Sequence, residues 1–421
     1  MLSEEKNELL TRVGPGTPMG GLLRRYWHPV AAEVEFEDRA TKRVRLLGED
    51  LVLYRDLSGT YGLVDRHCAH RRADLSYGFV EQKGIRCNYH GWLFDETGAC
   101  IEQPYEDVAG APPEFKRRSC IKGYRAQAHA GMVWAYMGPE PAPLVPNYEP
   151  FTWKNGFVQI VFSQVPCNWF QCQENSIDPV HFEWMHDNWS IRLRGKGEPY
   201  ASRHLKVAFD EFEHGMIYRR VRSDADETSP LWTIGRLCLW PNSLFTGNHF
   251  EWRVPVDDHT TLSIGWFFSR VPIEMEPYQQ NRIPAWTSPV FDSETGEPIV
   301  THVMNQDFVA WFGQGVIADR TRENLGKSDL GIVMMRRRFM DDLEVVAAGG
   351  DPKGIIRDPE RNRCLELPII NKEAFLNGVP LKEVLAKPRA INPTARQEFI
   401  WLKGQPEEVR RAYNEAMGFP A

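Results

Sequence analysis

The first third of the chain has the hydrophobic pattern of short β-strands. In RVRLLGEDLVLYRDLSGTYGLVD, two runs of Val, Leu and Tyr are separated by the turn sequence DLSGT. Alternation of this kind between turn residues predicts hairpins. The proline-rich stretches APPEFKR and GPEPAPLVPNYEP end the pattern near residue 150, because proline interrupts regular structure. We therefore expect an N-terminal segment over residues 1–40 and an all-β domain over residues 41–150.

Residues 151–421 mix two periodicities. The stretches NWFQCQENSIDPVHFEWMH and THVMNQDFVAWFGQG have helical character, whereas residues 205–270 alternate as strands do. A further helix is predicted from a cap at Ser328 and Asp329 to a stop at Gly349 and Gly350. This region is expected to be an antiparallel sheet flanked by helices, which makes the whole chain α+β.

Composition narrows the class of protein. With 421 residues, of which 42% are hydrophobic and 25% charged, the chain is long for a single core. A net charge of −7 without a basic stripe argues against a nucleic-acid partner. The N-terminus MLSEEKNELL has no signal-peptide core, and no run of about 18 apolar residues occurs. We expect a cytoplasmic protein without a membrane segment, whose eight scattered cysteines are not a disulfide framework.

Two cysteines are each followed closely by a histidine in CAHRRADLSYGFVEQKGIRCNYHGW. The order is Cys68-x-His70, sixteen residues, then Cys87-x2-His90. Thiolate and imidazole suit zinc or iron, but a structural zinc site usually takes like ligands from one turn. Two loops that each supply one sulfur and one nitrogen match a Rieske [2Fe–2S] centre, with both thiolates on one iron and both imidazoles on the other. A Cys2His2 zinc knuckle is the alternative.

A second metal site is predicted in ENSIDPVHFEWMH. Asn175, Asp178, His181 and His186 are polar groups among apolar neighbours, and a metal is one way to satisfy them. Residues five apart lie about 140° apart around an ideal α-helix. Binding one ion therefore requires a kink or a π-type turn, with which Pro179 is consistent. Two ordinary histidines on a Trp-rich helix are the plain alternative.

A carboxylate would complete a 2-His-1-carboxylate iron site. Asp307 lies in the middle of the apolar stripe of its predicted helix, where an inward-facing carboxylate is exceptional unless it is paired. We predict Asp307 as the third ligand. Asp178, three residues before His181, is better placed to accept an imidazole N–H. The competing carboxylates are Glu174, Asp187, Asp319 and Glu323.

Four stretches carry a resemblance to a known family. They are GPGTPMGGLLRRYWHPV, the Cys-His stretch continued through CNYHGWLFDETGAC, ENSIDPVHFEWMH, and NQDFVAWFGQGVIADRTRENLGKSD. Together they span most of the chain, which resembles the oxygenase α subunit of the Rieske non-haem iron oxygenases. The first and last stretches are distinctive of the phthalate dioxygenase-like branch.

The resemblance implies a homotrimer in which the Rieske cluster of one subunit reduces the mononuclear Fe(II) of its neighbour. Asp178 would bridge His90 of one chain to His181 of the next, and Asn175 joins Asp178 among the catalytic residues. The family uses electrons from NAD(P)H. Because the glycines of GPGTPMG do not match a dinucleotide fingerprint, a separate reductase or ferredoxin is expected to supply them.

The substrate is implied to be an aromatic acid. Aromatic side chains near the histidines suit an aromatic ring, and a carboxylate would need arginine, for which Arg192, Arg194 and Arg236 are candidates. The length and the NQDFVAWFGQG context resemble demethylases of lignin-derived biaryl acids of the dehydrodivanillate type, which monooxygenate a methoxy group and release formaldehyde. The alternatives are phthalate-type cis-dihydroxylation and a non-catalytic iron–sulfur or zinc-binding module.

Overall fold

The computed structural model describes residues 1–193, 195, 200–386 and 404–419. The chain divides into two compact units, a small unit of Val13–Val145 and a large unit of Met1–Arg12 with Pro146–Ala421. The division at residue 145 lies in the second proline-rich stretch. Residues 1–40 do not form a unit of their own. Helix α1 (Glu4–Thr11) belongs to the large unit and the rest of that segment to the small unit.

The small unit contains two antiparallel sheets. Its strands are β1 (Trp27–Ala32), β2 (Thr41–Leu46), β3 (Glu49–Arg55), β4 (Tyr61–Asp65), β5 (Phe79–Val80), β6 (Ile85–Arg86), β7 (Leu93–Phe94), β8 (Cys100–Glu102), β9 (Gly123–His129) and β10 (Met132–Tyr136). One sheet has the order β1-β10-β9-β4-β3-β2 and the other β5-β6-β7-β8. Four short helices join them: α2 (Pro18–Leu23), α3 (Glu35–Asp38), α4 (Pro104–Val108) and α5 (Pro113–Arg118).

The first predicted hydrophobic run is two strands rather than one. Strands β2 and β3 pair with Leu46 opposite Glu49, so the chain reverses at Leu47 and Gly48, whose φ angles are 49° and 78°. A two-residue loop with both residues at positive φ matches the twist of a hairpin. The hydrophobic pattern does not predict this turn, because Leu47 continues it.

The core of the small unit includes the sulfur atoms of the Cys-His motif. Its buried residues are Val52, Tyr54, Val64, Cys68, Leu75, Ile85, Cys87, Trp92, Phe94 and Cys100. The four-stranded sheet therefore packs its apolar side chains around the two loops that carry the motif.

The large unit is built on one eight-stranded sheet. Its strands are β11 (Gly156–Val165), β12 (His204–Phe212), β13 (Gly215–Arg222), β14 (Arg236–Leu239), β15 (Ser243–Phe245), β16 (His249–Pro255), β17 (Thr261–Arg270) and β18 (Ala285–Thr287). The order is β12-β13-β14-β15-β16-β17-β11-β18. All neighbours pair antiparallel except the edge strand β18, which pairs parallel with β11. The predicted α+β class is confirmed.

Helices flank this sheet, both in the three stretches where the sequence predicts them and in others where it does not. They are α6 (Trp169–Asn175), α7 (Ser190–Leu193), α8 (Pro230–Thr233), α9 (Val303–Gly313), α10 (Leu330–Ala347), α11 (Lys372–Asn377), α12 (Leu381–Ala386) and α13 (Glu407–Met417), with a π-helix at Phe182–Trp189. Helix α10 confirms the predicted helix and ends just before Gly349, whose φ is 81°.

Helix α9 is anchored in the main core of the large unit. Phe308 and Trp311 of α9 and Tyr413 of α13 pack with Phe157 and Val161 of β11. Burial of the two aromatic side chains of α9, Phe308 and Trp311, fixes the rotation of the helix about its axis. Since Asp307 adjoins Phe308, it is held inside the unit as well.

Candidate active site

The two Cys-His loops of the small unit have the same backbone hydrogen bonds. The N–H of Cys68 donates to the Ala73 carbonyl at 2.9 Å, and the N–H of Cys87 donates to the Trp92 carbonyl at 2.8 Å. In both loops the donor is the cysteine and the acceptor lies five residues later. The two loops therefore present their cysteines in matched conformations.

The fourth residue after each cysteine closes the loop. Arg72 and Gly91 have φ angles of 62° and 76°, and each donates its N–H to the carbonyl of its own cysteine at 3.0 Å. Left-handed backbone suits glycine, and the sequence analysis would not have placed arginine there. The strain at Arg72 is a feature that only the structure shows.

Sulfur and nitrogen atoms lie on opposite sides of these loops. Cys68 and Cys87 are 1% and 2% exposed, whereas His70 and His90 are exposed, with ring centres 4.4 Å apart. The hydrogen bond between the two sulfurs raises the pKa of Cys68 and lowers the pKa of Cys87 to about 6. A pair of sulfurs inside and a pair of imidazoles outside fits a two-iron cluster with unlike ligands on its two irons.

A single zinc ion does not fit these four side chains. Tetrahedral zinc would bring all its ligand atoms within about 4 Å of one another, given metal–ligand distances of about 2.0–2.3 Å. In the described ranges of the chain, one group of three or more His, Cys, Asp or Glu has its ligand atoms within 4.8 Å of one another, and it lies in the large unit. The four side chains are therefore not gathered around one point, which favours the two-iron cluster over a zinc knuckle.

That group consists of His181, His186 and Asp307. His181 immediately precedes the π-helix Phe182–Trp189, in which His186 lies. Hydrogen bonding from i to i+5 brings residues five apart next to each other on successive turns. The π-type turn expected for two histidines at this spacing is confirmed.

Asp307 is the common neighbour of both imidazoles. Its Oδ1 lies 3.6 Å from His181 Nε2 and 3.4 Å from His186 Nε2. Asn175 Nδ2 donates to the same oxygen at 3.4 Å. Burial opposes the imidazolium form, but the charge of Asp307 outweighs it and raises the pKa of His186. The arrangement has two nitrogens and one carboxylate facing one point.

Gln306 determines which nitrogen of His186 faces that point. Its Nε2 donates to Ser190 Oγ at 2.9 Å and to the Val300 carbonyl at 3.0 Å. Its Oε1 is therefore the acceptor 3.1 Å from His186 Nδ1, so Nδ1 carries the proton and Nε2 has its lone pair free. Sequence reasoning missed Gln306, although its place beside Asp307 was a usable signal.

Asp178 lies near Nδ1 of His181, whereas Asp307 lies near Nε2 of the same ring. Its Oδ2 is 3.6 Å from His181 Nδ1, and its Oδ1 accepts the N–H of Val180 at 2.8 Å. Burial opposes ionisation, yet the neighbouring His181 and the backbone N–H of Val180 keep the pKa of Asp178 below its ordinary value. The carboxylate is placed to orient the imidazole.

The donor set fits a mononuclear iron. His186 Nε2 is buried and has no hydrogen-bond partner in the structure, and burying such an atom is costly unless something binds it. Two imidazole nitrogens and a carboxylate on one side are the ligand type of non-haem iron sites with open positions. His181, His186 and Asp307 thus fit a mononuclear iron ion.

The competing carboxylates have other surroundings. Glu174 is buried between Arg320 and Arg336, whose Nη2 atoms are each 2.6 Å from it. The others are exposed or partly exposed: Asp187, Asp319 and Glu323.

The three arginines that are candidates for binding a substrate carboxylate differ in their surroundings. Arg192 donates to the Asn188 carbonyl at 3.3 Å and stacks on Tyr200. Arg194 lies outside the described residues. Arg236 is 8% exposed, and its Cζ lies 4.3 Å from the centre of the Phe182 ring, beside the two histidines.

Comparison with known proteins gives one family match in each of the two units. The Rieske [2Fe-2S] domain family matches residues 26–116, and a family described as LigXa C-terminal domain like matches residues 292–373. The 5,5'-dehydrodivanillate O-demethylase oxygenase subunit of Sphingobium sp. (strain NBRC 103272 / SYK-6) is 59% identical over 417 residues, which are 99% of this chain and 97% of that protein. The chain belongs to the Rieske non-haem iron oxygenases.

Further relatives place this oxygenase in the phthalate dioxygenase-like branch. The phthalate 4,5-dioxygenase oxygenase subunit of Pseudomonas putida is 32% identical over 399 residues, 83% of this chain and 88% of that one. The solved QL mutant of Pseudomonas putida CBB5 NdmA with theobromine superposes with a TM-score of 0.57 at 20% identity, covering 78% of this chain and 93% of that one. At that identity it shows the fold alone.

The oxygenase is an enzyme with a Rieske [2Fe–2S] cluster and a mononuclear iron, and the hypothesis of a non-catalytic module is rejected. None of its helices within the described ranges is long and apolar enough to cross a membrane.

Proposed function

We propose that this oxygenase O-demethylates a methoxylated, lignin-derived biaryl acid and releases formaldehyde. The observation that carries the proposal is the 59% identity over 99% of the chain to a 5,5'-dehydrodivanillate O-demethylase oxygenase subunit. The reaction inserts one oxygen atom of O2 into a methyl C–H bond. Two electrons and two protons convert the other oxygen atom to water, and the resulting hemiacetal breaks into a phenol and formaldehyde.

In this proposal Cys68, His70, Cys87 and His90 bind the cluster. His181, His186 and Asp307 bind the mononuclear iron. When bound, the cluster supplies electrons and the iron supplies the open positions at which oxygen is activated. We assign the cluster to the domain expected over residues 41–150, which lies largely in the small unit Val13–Val145, and the iron to the region expected over residues 151–421, which lies in the large unit.

The neighbouring polar residues hold these ligands in position. Gln306 keeps the proton on His186 Nδ1, so that Nε2 can bind metal. Asn175 donates to Asp307 Oδ1 and orients the carboxylate. Such neighbours of metal ligands typically change metal affinity or activity by about 10- to 100-fold.

Electrons come from outside the chain. We infer a separate reductase or ferredoxin as donor and a homotrimer in the cytoplasm, in which Asp178 lies between His90 of one subunit and His181 of the next. Support comes from the relative's description as an oxygenase subunit and from a carbazole 1,9a-dioxygenase oxygenase solved as a complex with ferredoxin. The position of Asp178 behind His181 suits a link that continues outward.

A second candidate function is cis-dihydroxylation of an aromatic carboxylate. Its support is the 32% identity to a phthalate 4,5-dioxygenase oxygenase subunit. This reaction would leave both oxygen atoms on the ring and would form no formaldehyde.

A single turnover distinguishes the two reactions. The chemically reduced, iron-loaded protein is mixed with O2 and either 5,5'-dehydrodivanillate or phthalate, and formaldehyde, phenol and ring diol are measured together. Formaldehyde equal to the new phenol establishes demethylation. A ring diol without formaldehyde would show dihydroxylation instead. No oxygenated product from 5,5'-dehydrodivanillate would contradict the proposed substrate class.

A further inference from the structure

Two guanidinium groups lie close to one phenyl ring beside the proposed iron ligands. The Cζ atoms of Arg220 and Arg236 lie 4.5 Å and 4.3 Å from the centre of the Phe182 ring. The same ring is 4.4 Å from the ring of His181 and 5.4 Å from that of His186. Two positive charges are thus held close to the metal site.

The two arginines differ in their partners. Arg220 Nη1 donates to the Pro179 carbonyl at 2.9 Å, and its Nη2 is 3.5 Å from Glu183. Arg236 is more than nine-tenths buried, and its Nε and Nη1 have no hydrogen-bond partner. Two of its three nitrogens therefore lack an acceptor, and a buried cation with unmade hydrogen bonds is unfavourable unless a bound group completes them.

Glu183 does not neutralise Arg236. Its Oε2 is 2.8 Å from His204 Nε2, and its Oε1 is 3.3 Å from Arg222 Nη1 as well as close to Arg220. One carboxylate is therefore shared among two guanidiniums and an imidazole. The ion pairs of Glu183 thus go to Arg220, Arg222 and His204.

The sheet places a second open donor beside Arg236. Tyr218 on β13 lies directly opposite Arg236 on β14, and opposite residues of paired strands point to the same face. The Tyr218 hydroxyl is buried and also lacks a hydrogen-bond partner. A guanidinium and a hydroxyl on one face can together hold a planar anion.

We propose that Arg236, with the Tyr218 hydroxyl beside it, binds the carboxylate of the aromatic acid and makes this oxygenase specific for acids. The carboxylate supplies the acceptor that Arg236 lacks, and its attachment at this point orients the aromatic ring along Phe182 toward the histidines. This inference rests on the proposed function, since it names the group by which that substrate is recognised.

Equilibrium binding to the oxidised, iron-loaded protein tests the proposal without turnover. Calorimetry compares 5,5'-dehydrodivanillate with its dimethyl ester on the wild type, Arg236→Met and Arg236→Lys. Loss of a hydrogen bond to a charged group should raise the Kd of the acid about 10- to 100-fold in Arg236→Met and that of the ester by less than about threefold. Arg236→Lys should recover part of the acid affinity, because it keeps the charge but not the planar donors.

Arg219→Met is the matched control. Arg219 is the neighbouring arginine on β13, points to the other face, and pairs with Asp210; its loss should leave acid binding unchanged. Arg236→Met should melt at or above the wild-type temperature, because an unpaired buried charge is removed. A lower melting temperature with equal weakening of acid and ester binding would overturn the proposal.

The test of this carboxylate subsite, formed by Arg236 and Tyr218, gives a result that is independent of the test of the proposed function. Selective loss of acid binding in Arg236→Met supports the subsite even if the wild type makes a diol instead of formaldehyde. Formaldehyde from the wild type together with unchanged acid binding in Arg236→Met leaves the demethylase proposal standing and rejects the subsite.

Discussion

At the scale of single residues, one carboxylate organises the proposed iron site. Asp307 is 6% exposed on an otherwise apolar helix, and two imidazole nitrogens and an amide all face its Oδ1. A carboxylate in such a place is stable only with partners. An apolar residue of similar size in place of Asp307 would therefore remove the oxygen that the two imidazoles and the amide face.

Asp307→Ala should lose the mononuclear iron and keep the cluster. Removal of a ligand leaves two histidines that bind the ion weakly, so turnover should fall by more than about 100-fold. Iron analysis together with the cluster spectrum measures both effects. Asp319→Ala is the control, because Asp319 is exposed and accepts only local bonds from Thr321. Full iron and full turnover in Asp307→Ala would show that the third ligand is another residue.

Gln306 provides a finer test at the same scale. Gln306→Ala should weaken iron binding about 10- to 100-fold, because His186 would lose the acceptor that holds its Nδ1–H. Iron titration of the metal-free protein gives the affinity. Gln314→Ala, at the exposed end of the same helix, should be unaffected. Equal affinity in both variants would mean that Gln306 has no part in orienting His186.

At the scale of elements, the sheet of the large unit contains a buried ionic row. His249, Glu251 and Arg253 alternate along β16, so their side chains share one face. Glu251 lies 2.7 Å from His249 Nε2 and 2.7 Å from Arg253 Nη2. Burial opposes its charge, but Arg253 and His249 lower the pKa of Glu251 from 4.5 to about 2.

This pKa shift predicts a stability effect that depends on pH. A lowered folded-state pKa stabilises the protein above pH 4.5, and the contribution disappears as pH falls toward 2. Glu251→Gln should therefore be less stable than the wild type by about 3 kcal/mol at pH 7 and by less than half of that near pH 3. Urea unfolding of the oxidised protein at both values measures this.

The exposed pair Glu213 with Arg361 supplies the control, since Glu213→Gln should change stability by less than about 1 kcal/mol at either pH. A difference between wild type and Glu251→Gln that stays constant from pH 7 to pH 3 would show that Glu251 acts through packing and not through its charge.

At the scale of the whole molecule, the proposed cluster and iron sites belong to different compact units. The proposal that electrons cross between subunits makes Asp178 the residue that joins the two centres. Its carboxylate contacts His181 on one side only, through Oδ2.

Asp178→Ala should keep the cluster and the iron but slow the transfer between them. Rapid mixing of the reduced protein with substrate and O2 follows cluster oxidation, whose rate should fall by at least about 10-fold. Asp187→Ala, an exposed acid on the π-helix, is the control. Unimpaired oxidation of the cluster in Asp178→Ala would remove the proposed bridge.

The amino-acid sequence by itself determined the features that depend on local spacing. The Cys-His pairs lie within 23 residues and in two short loops, His181 and His186 are five apart, and an inward carboxylate in an apolar helix marked Asp307. The strand and helix periodicities also led to the α+β class. Such features follow from chain geometry over a few residues, which one sequence contains in full.

Contacts between distant segments were decided only by the tertiary structure. Gln306 lies beside His186, which is 120 positions away in the chain. Phe182 of the π-helix lies close to Arg220 and Arg236 on two strands of the sheet. Glu174 pairs with Arg320 and Arg336, far along the chain. The hairpin at Leu47 was missed for a related reason, since its positive φ depends on the pairing of β2 with β3. Which polar groups find a partner, and which one is left open for a ligand, depends on packing that no local pattern contains.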